Sequence, residues 1–397
     1  MIYVHVPFCR SFCTYCGFYS EAVPLCAGKE LPENRELYDR YAQAVVNEAA
    51  SRRRETLEAI CHHGSPDTLY IGGGTPSVLP LSVLSRIVRG IGESVWDDPG
   101  HRYEEFTVEV NPEDITEKGA DYLAGLKSLG ASRISMGVQS FSPAILKWMN
   151  RRHDAAGALK AFNMLRDAGF GNISIDLISG ISGLSEEIWE ETLDIAISLA
   201  PEHISAYQLS VDPGSTLGRL AGEGRYTEAP ESLCRRQYDL LCSKLSAAGY
   251  VHYEISNFSL PGFEALHNSA YWRRVPYTGL GAGAHSALVQ HEAGRVRTNA
   301  EVDCRRWNAE DVGRYLEISD FQGEEHLSEQ EVRIERLMLG LRTSVGVPEK
   351  WLPGDRVRNM VTSGSLQRFA GTSGESFVRI PEDHFFVSDD IICMLIE

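Results

Sequence analysis

Cys9, Cys13 and Cys16 are the residues whose type and spacing most directly imply chemistry in this chain. Thiols four and then three positions apart can converge on one small object, and thiolates hold zinc or an iron–sulfur cluster. A closed structural zinc site takes four ligands, usually as two separated pairs. Here the local count stops at three. Cys26, ten residues beyond Cys16 and just past Pro24, has no placement that suggests a fourth ligand. An iron–sulfur cluster held by three cysteines leaves one iron open to a ligand that is not protein. That open iron is the chemistry the triplet points to.

Such a loop must be positioned, and the remaining sequence supplies an alternating scaffold. Strand-like runs fall at residues 2–6, 68–71, 106–110, 134–138, 173–177 and 204–209, with a further strand at 250–255. Helical patterns follow them: Leu37, Tyr41 and Val45 mark a helix expected to continue towards Ile60, and Val83, Ile87 and Ile91 mark the next. Six or more strand–helix units predict an α/β fold with parallel strands, whose ligands sit at the carboxyl ends of the strands. The polar and glycine-rich punctuation falls at those ends: the cysteines, Gly72–Gly73–Gly74, Glu109, Gln139, Asp176 and Tyr207. Beyond about residue 300 the alternation lapses, which predicts a small α+β domain over 300–397 after a main domain over 1–290.

Composition narrows the function classes. The 43% hydrophobic and 23% charged content is that of a soluble globular protein. A net charge of −17 argues against binding a nucleic-acid backbone as the main task. No apolar run is long enough to span a membrane, and residues 1–7 show neither a basic leader nor a cleavage site, so the cytoplasm is the expected location. There, clustered cysteines are more often metal ligands than disulfides. The scattered Cys26, Cys61, Cys234, Cys242, Cys304 and Cys393 read as small buried hydrophobes or inert thiols.

Glycines in Gly72-Gly73-Gly74-Thr75-Pro76 let backbone groups approach a polar ligand closely, and Glu109 at a strand end can partner an amino or hydroxyl group. With the CxxxCxxC loop, these residues resemble the radical S-adenosylmethionine superfamily. Tyr3-Val4-His5-Val6-Pro7-Phe8-Cys9, Gly137-Val138-Gln139-Ser140-Phe141, Asn150-Arg151 and Ile175-Asp176-Leu177-Ile178 are similar to its coproporphyrinogen-oxidase-like branch. The resemblance is strong over about residues 1–290 and weaker beyond. It implies an incomplete (β/α)6-type barrel and a [4Fe–4S] cluster on Cys9, Cys13 and Cys16. The open iron would bind S-adenosylmethionine, which the reduced cluster cleaves to a 5′-deoxyadenosyl radical. It also implies that Tyr3, Gly73, Gly74, Thr75, Glu109, Gln139, Arg151 and Asp176 contact S-adenosylmethionine. The small C-terminal domain would cover part of the barrel mouth.

Within that branch, the oxidases carry an N-terminal extension and a further cysteine two positions after the third. Here Phe18 stands at that place and only two residues precede Tyr3. Both features resemble instead the heme chaperone family HemW. His267-Asn268-Ser269-Ala270-Tyr271-Trp272 matches that family's HNxxYW pattern, and Gly279-Leu280-Gly281-Ala282-Gly283-Ala284-His285-Ser286 follows as it does there. The resemblance implies heme as a ligand, His267 as a heme contact beside flat aromatic faces, and an acceptor hemoprotein as partner. His285 is a weaker candidate, and His5, His62 and His63 read as structural or solvated. Thr14 and Gly17 depart from the Pro and Asp common in the family, with the ligand spacing intact. The alternative activity is oxidative decarboxylation of coproporphyrinogen III, and the sequence does not decide whether a radical reaction takes part.

Overall fold

A computed structural model of the chain describes residues 1–23, 31–289, 302–317, 321–371 and 374–396. Cys26 lies outside the described residues. Among the described residues the main sheet has nine strands: β1 (Ile2–Val6), β2 (Thr68–Gly73), β3 (Glu105–Val110), β4 (Arg133–Gln139), β5 (Ile173–Ser179), β6 (His203–Gln208), β7 (Val251–Glu254), β8 (Asn257–Ser259) and β9 (Thr278–Leu280). Their order across the sheet is β9-β1-β2-β3-β4-β5-β6-β8-β7. From β9 to β6 every pair is parallel, and β8 and β7 are added antiparallel. The six parallel strands and the strand near 250 agree with the sequence reading. β9 does not appear in it, because a three-residue strand inside a glycine-rich run carries no periodicity.

Side chains alternate across a strand, and the two faces of this sheet differ in kind. Ile2, Val4, Leu69, Ile71, Phe106, Val108, Ile134, Met136, Ile173 and Ile175 are buried in the apolar core under the helices. Burying one such side chain contributes about 1.5–3 kcal/mol. The residues between them are mostly polar: Tyr70, Thr107, Glu109, Ser135, Ser174, Asp176, His203 and Ser205. They bond to one another across strands, as in Ser135 Oγ to Asp176 (2.9 Å), Ser174 Oγ to His203 Nδ1 (2.8 Å) and His203 Nε2 to Tyr253 OH (2.7 Å). The incomplete barrel therefore has an apolar outside under its helices and a polar inside.

The helix expected to run from Leu37 to Ile60 is two, Pro32–Ser51 and Arg53–Ile60. At the break, the buried Arg52 side chain leaves the helix surface and donates to Glu48 (2.9 Å), the Gly279 carbonyl (2.6 Å) and Ser286 Oγ (2.8 Å). Glu48 in turn accepts from Gly281 N, Asn308 and Tyr315. The glycine-rich run after β9 is thus the socket of a buried ion pair. A Cβ on Gly279 would meet the His285 carbonyl oxygen at 1.9 Å, so glycine is required there.

The expected boundary near residues 290–300 falls inside a structural unit. His285–Leu288, Cys304–Trp307 and Gly323–His326 form one three-stranded antiparallel sheet. A smaller unit then follows, opened by a Ser328/Glu331 capping box on the helix Glu329–Leu341. Its core of Leu337, Leu341, Val357, Val378, Phe385 and Ile392 gathers three helices and a three-stranded sheet. This unit docks on the edge strand β7, through a Glu254–Thr343 bridge and the Ser344 N to Tyr253 O bond (3.0 Å). Covering that edge removes a row of unpaired backbone groups. None of the described residues lining the main cavity comes from this unit, which differs from the cover over the mouth expected from the sequence.

Candidate functional site

A cavity of about 590 Å³ opens at the carboxyl ends of β2 to β6. Cys9, Cys13, Cys16, Gly73, Gly74, Thr75, Glu109, Gln139, Arg151 and Asp176 all line it. Ten of the twelve residues singled out as ligands or contacts are thus brought together; Tyr3 and His267 are not in the lining.

The cysteine loop is fixed by its neighbours. Val23 N donates to the Cys9 carbonyl (2.8 Å), Asn150 Nδ2 to the Phe12 carbonyl (2.7 Å) and Leu217 N to the Thr14 carbonyl (2.7 Å). Thr14 N donates to the Met149 carbonyl (3.2 Å), a bond that proline cannot make, so the departure at Thr14 has a local use. At Gly17 a Cβ would come 2.5 Å from Asp212 Oδ2, so the Asp212 carboxylate fills the space of a side chain at 17.

Burial pushes the Cys9 thiol up and the Cys16 thiol up to about 11, so in the metal-free protein these two keep their protons at neutral pH. Metal binding would release them. Thr75 Oγ1 lies 3.2 Å from Cys9 Sγ and Arg151 Nη1 donates to Cys13 Sγ (3.5 Å), so the thiols sit beside a hydroxyl and a cation that favour thiolates. Three thiols against a cavity, with no fourth sulfur among its described lining, fit a cluster with one open iron.

Arg151 is bent over this cavity from the residue after Asn150, which holds φ 59. Its Nη2 donates to Asn111 Oδ1 (2.7 Å) and the Gly137 carbonyl (2.5 Å), while its buried Nε has no partner among the described residues. A guanidinium lining a cavity suits a carboxylate. Gln139 stands at φ 67, in the left-handed region, where β4 and β5 shift register, and this strain aims it at the cavity.

Gly73 has φ 107 and its N–H donates to Glu109 Oε2 (3.1 Å), while Tyr70 OH donates to Oε1 (2.7 Å). Burial, with a further push from the Asp176 charge, raises the Glu109 carboxyl to about 7 despite those two bonds. Burial likewise raises Asp176. Two carboxyls crowded together in the lining, both raised by burial despite the nearby Arg133 charge, can receive an amino group or hydroxyls. Tyr70, Asn111, Tyr15 and Asp212 were not singled out from the sequence; period-two alternation within β2 was the available signal for Tyr70.

Tyr3 lies one strand away: its OH meets His5 Nδ1 at 3.0 Å and its ring packs 6.1 Å from Tyr70. It supports Tyr70 and does not line the cavity. His267 sits at the opposite end of the strands. It is 1% exposed, its Nδ1 is 2.7 Å from Thr68 Oγ1 and its Nε2 is 2.9 Å from Tyr271 OH. Both ring nitrogens are engaged, so the heme-facing position expected for His267 is not the one it occupies. His285 is exposed and stacked on Trp307, with ring centroids 5.8 Å apart. His5 is buried and bonds the Tyr19 carbonyl (2.9 Å), in keeping with a structural role.

The family described as the radical SAM superfamily matches residues 3–196. The heme chaperone HemW of Bacillus subtilis (strain 168) is 33% identical over 355 residues, covering 88% of this chain and 84% of the relative. The chain belongs to the radical SAM superfamily, within its HemW family. The heme chaperone HemW of Escherichia coli (strain K12) is 32% identical over 316 residues, covering 80% and 76%. Among solved structures, that of coproporphyrinogen III oxidase (HemN) from Escherichia coli, described as a radical SAM enzyme, has a TM-score of 0.73. It covers 99% of this chain and 89% of that one at 19% identity, a likeness of fold. Membership of the superfamily implies a [4Fe–4S] cluster and S-adenosylmethionine, and the donor set around this cavity fits both. Among the described residues, no helix is long and apolar enough to cross a membrane.

Proposed function

We propose that this protein binds heme and hands it to an acceptor hemoprotein, with a [4Fe–4S] cluster and S-adenosylmethionine held in the cavity. Cys9, Cys13 and Cys16 would hold the cluster. Gly73, Gly74 and Thr75 would line the cofactor's amino end, Glu109 and Asp176 would take its amino and hydroxyl groups, and Arg151 its carboxylate. Bound there, the pair supplies one-electron reductive chemistry.

The observation that carries the heme reading is Phe18. It stands where the oxidases have their additional cysteine, and it projects from the cluster loop 70% exposed; Phe12 of the same loop is 47% exposed. Both also line the cavity, so its mouth offers two aromatic faces to a flat macrocycle. Names of the HemW relatives point the same way. The acceptor would be a protein that takes heme as its prosthetic group.

A paired assay on anaerobically reconstituted protein tests this reading. One half titrates heme by difference spectroscopy, and the other incubates the reduced protein with S-adenosylmethionine and coproporphyrinogen III. Tight stoichiometric heme binding with no decarboxylated product is expected. Turnover to the decarboxylated porphyrinogen would overturn the chaperone reading in favour of an oxidase.

A further inference from the structure

Cys304, Glu324 and His326 lie away from the cavity, on the three-stranded sheet that joins the barrel to the C-terminal unit. Cys304 and His326 are direct cross-strand partners. Glu324, two residues before His326, leaves the strand on the same face. Their ligand atoms (the Cys304 sulfur, a Glu324 oxygen and a His326 ring nitrogen) all lie within 4.8 Å of one another. We propose that these three side chains form a second metal site, for one divalent transition-metal ion of zinc's class.

Zinc bonds of about 2.0–2.3 Å in a tetrahedron set ligand atoms about 3.5 Å apart, so closure needs side-chain shifts of roughly 1 Å. The backbone register is already correct. The donor set is right in kind: a thiolate, an imidazole and a carboxylate together neutralise a dication and leave one position open. Glu324 divides its oxygens, with Oε2 on Arg306 and Oε1 2.8 Å from His326 Nε2. Arg306 is itself held by Glu55 (2.9 Å), so it steers the carboxylate while leaving one oxygen to the ion. Cys304 is buried, yet among the described residues its sulfur finds only the Arg305 carbonyl, at 3.9 Å. A metal would give that thiol a strong partner and staple Cys304–Trp307 to the adjacent strand Gly323–His326.

Metal analysis of the anaerobically reconstituted full chain, equilibrated with micromolar zinc and then dialysed, tests the site. About one zinc per chain is expected in addition to the cluster iron. His326→Ala, a change at an exposed position, should reduce it more than tenfold with iron content and cluster absorbance unchanged, and Cys304→Ser should do the same. Removing zinc with a chelator should lower the melting temperature of the wild type and leave His326→Ala unmoved. Wild-type protein that retains no zinc, or His326→Ala protein that retains as much as the wild type, would overturn the proposal.

Discussion

The two ends of the same parallel strands are built from similar residues and do opposite things. At the amino ends, the polar groups around His267 find partners within the chain. Glu105 accepts from Leu266 N (2.9 Å) and His267 N (3.0 Å), and His267 is held by Thr68 and Tyr271. At the carboxyl ends, ligand-type groups face a cavity instead: three cysteine sulfurs, Arg151, and a Glu109 carboxyl raised to about 7. A satisfied buried network fixes a structure, whereas an unsatisfied one facing a cavity is a ligand site. His267 of the HNxxYW motif belongs to the first kind and the CxxxCxxC loop to the second.

This contrast can be broken in order of effect. Cys9→Ala should abolish the visible absorbance of the reconstituted cluster while the chain stays folded; full absorbance in the variant would remove Cys9 from the ligand set. His267→Ala strands Thr68 and Tyr271 in the interior and should lower stability by about 2–4 kcal/mol, read by denaturant unfolding. The cluster should still assemble, and an undiminished midpoint would contradict the structural role. Glu109→Gln removes a charge that would meet the amino group of S-adenosylmethionine, and a loss of about tenfold or more in affinity is expected above pH 7.

The pH dependence is subtler. With its carboxyl at about 7, Glu109 is largely neutral in slightly acidic solution, so wild-type affinity for S-adenosylmethionine should fall as pH drops through 7. Glu109→Gln should flatten that profile. For stability the sign is reversed. The folded state keeps a proton that the unfolded chain gives up at about 4.5, so Glu109 destabilises the fold increasingly as pH rises from there through 7. Unfolding midpoints of wild type and Glu109→Gln should therefore converge in acid and separate towards neutral pH, with the variant ahead.

Much of the carboxyl end was legible in the sequence, because its residues announce themselves locally: cysteines at fixed spacing, a glycine run closing a strand, Glu109 and Asp176 at strand ends. The apolar alternation also located all six main strands. The polar half of that alternation carried information that the strand assignments did not use. Tyr70, Ser135 and Ser174 each stand between two apolar residues of their strands and mark the inner face. Other features were not legible because distant contacts create them. Nothing near Arg52 says that its side chain breaks a helix to reach Gly279, and nothing near His267 says that Thr68, 199 positions away, will occupy its Nδ1. A motif's presence in the sequence did not reveal at which end of the barrel it would lie.

The most direct test of this division is a heme titration of three reconstituted proteins, below their melting temperatures: wild type, His267→Ala, and the Phe12→Ala/Phe18→Ala double variant. Heme affinity should be retained in folded His267→Ala and weakened about tenfold or more when both exposed rings at the cavity mouth are removed. Loss of heme binding in His267→Ala, with the double variant unaffected, would contradict the account and return heme to the amino end of the barrel.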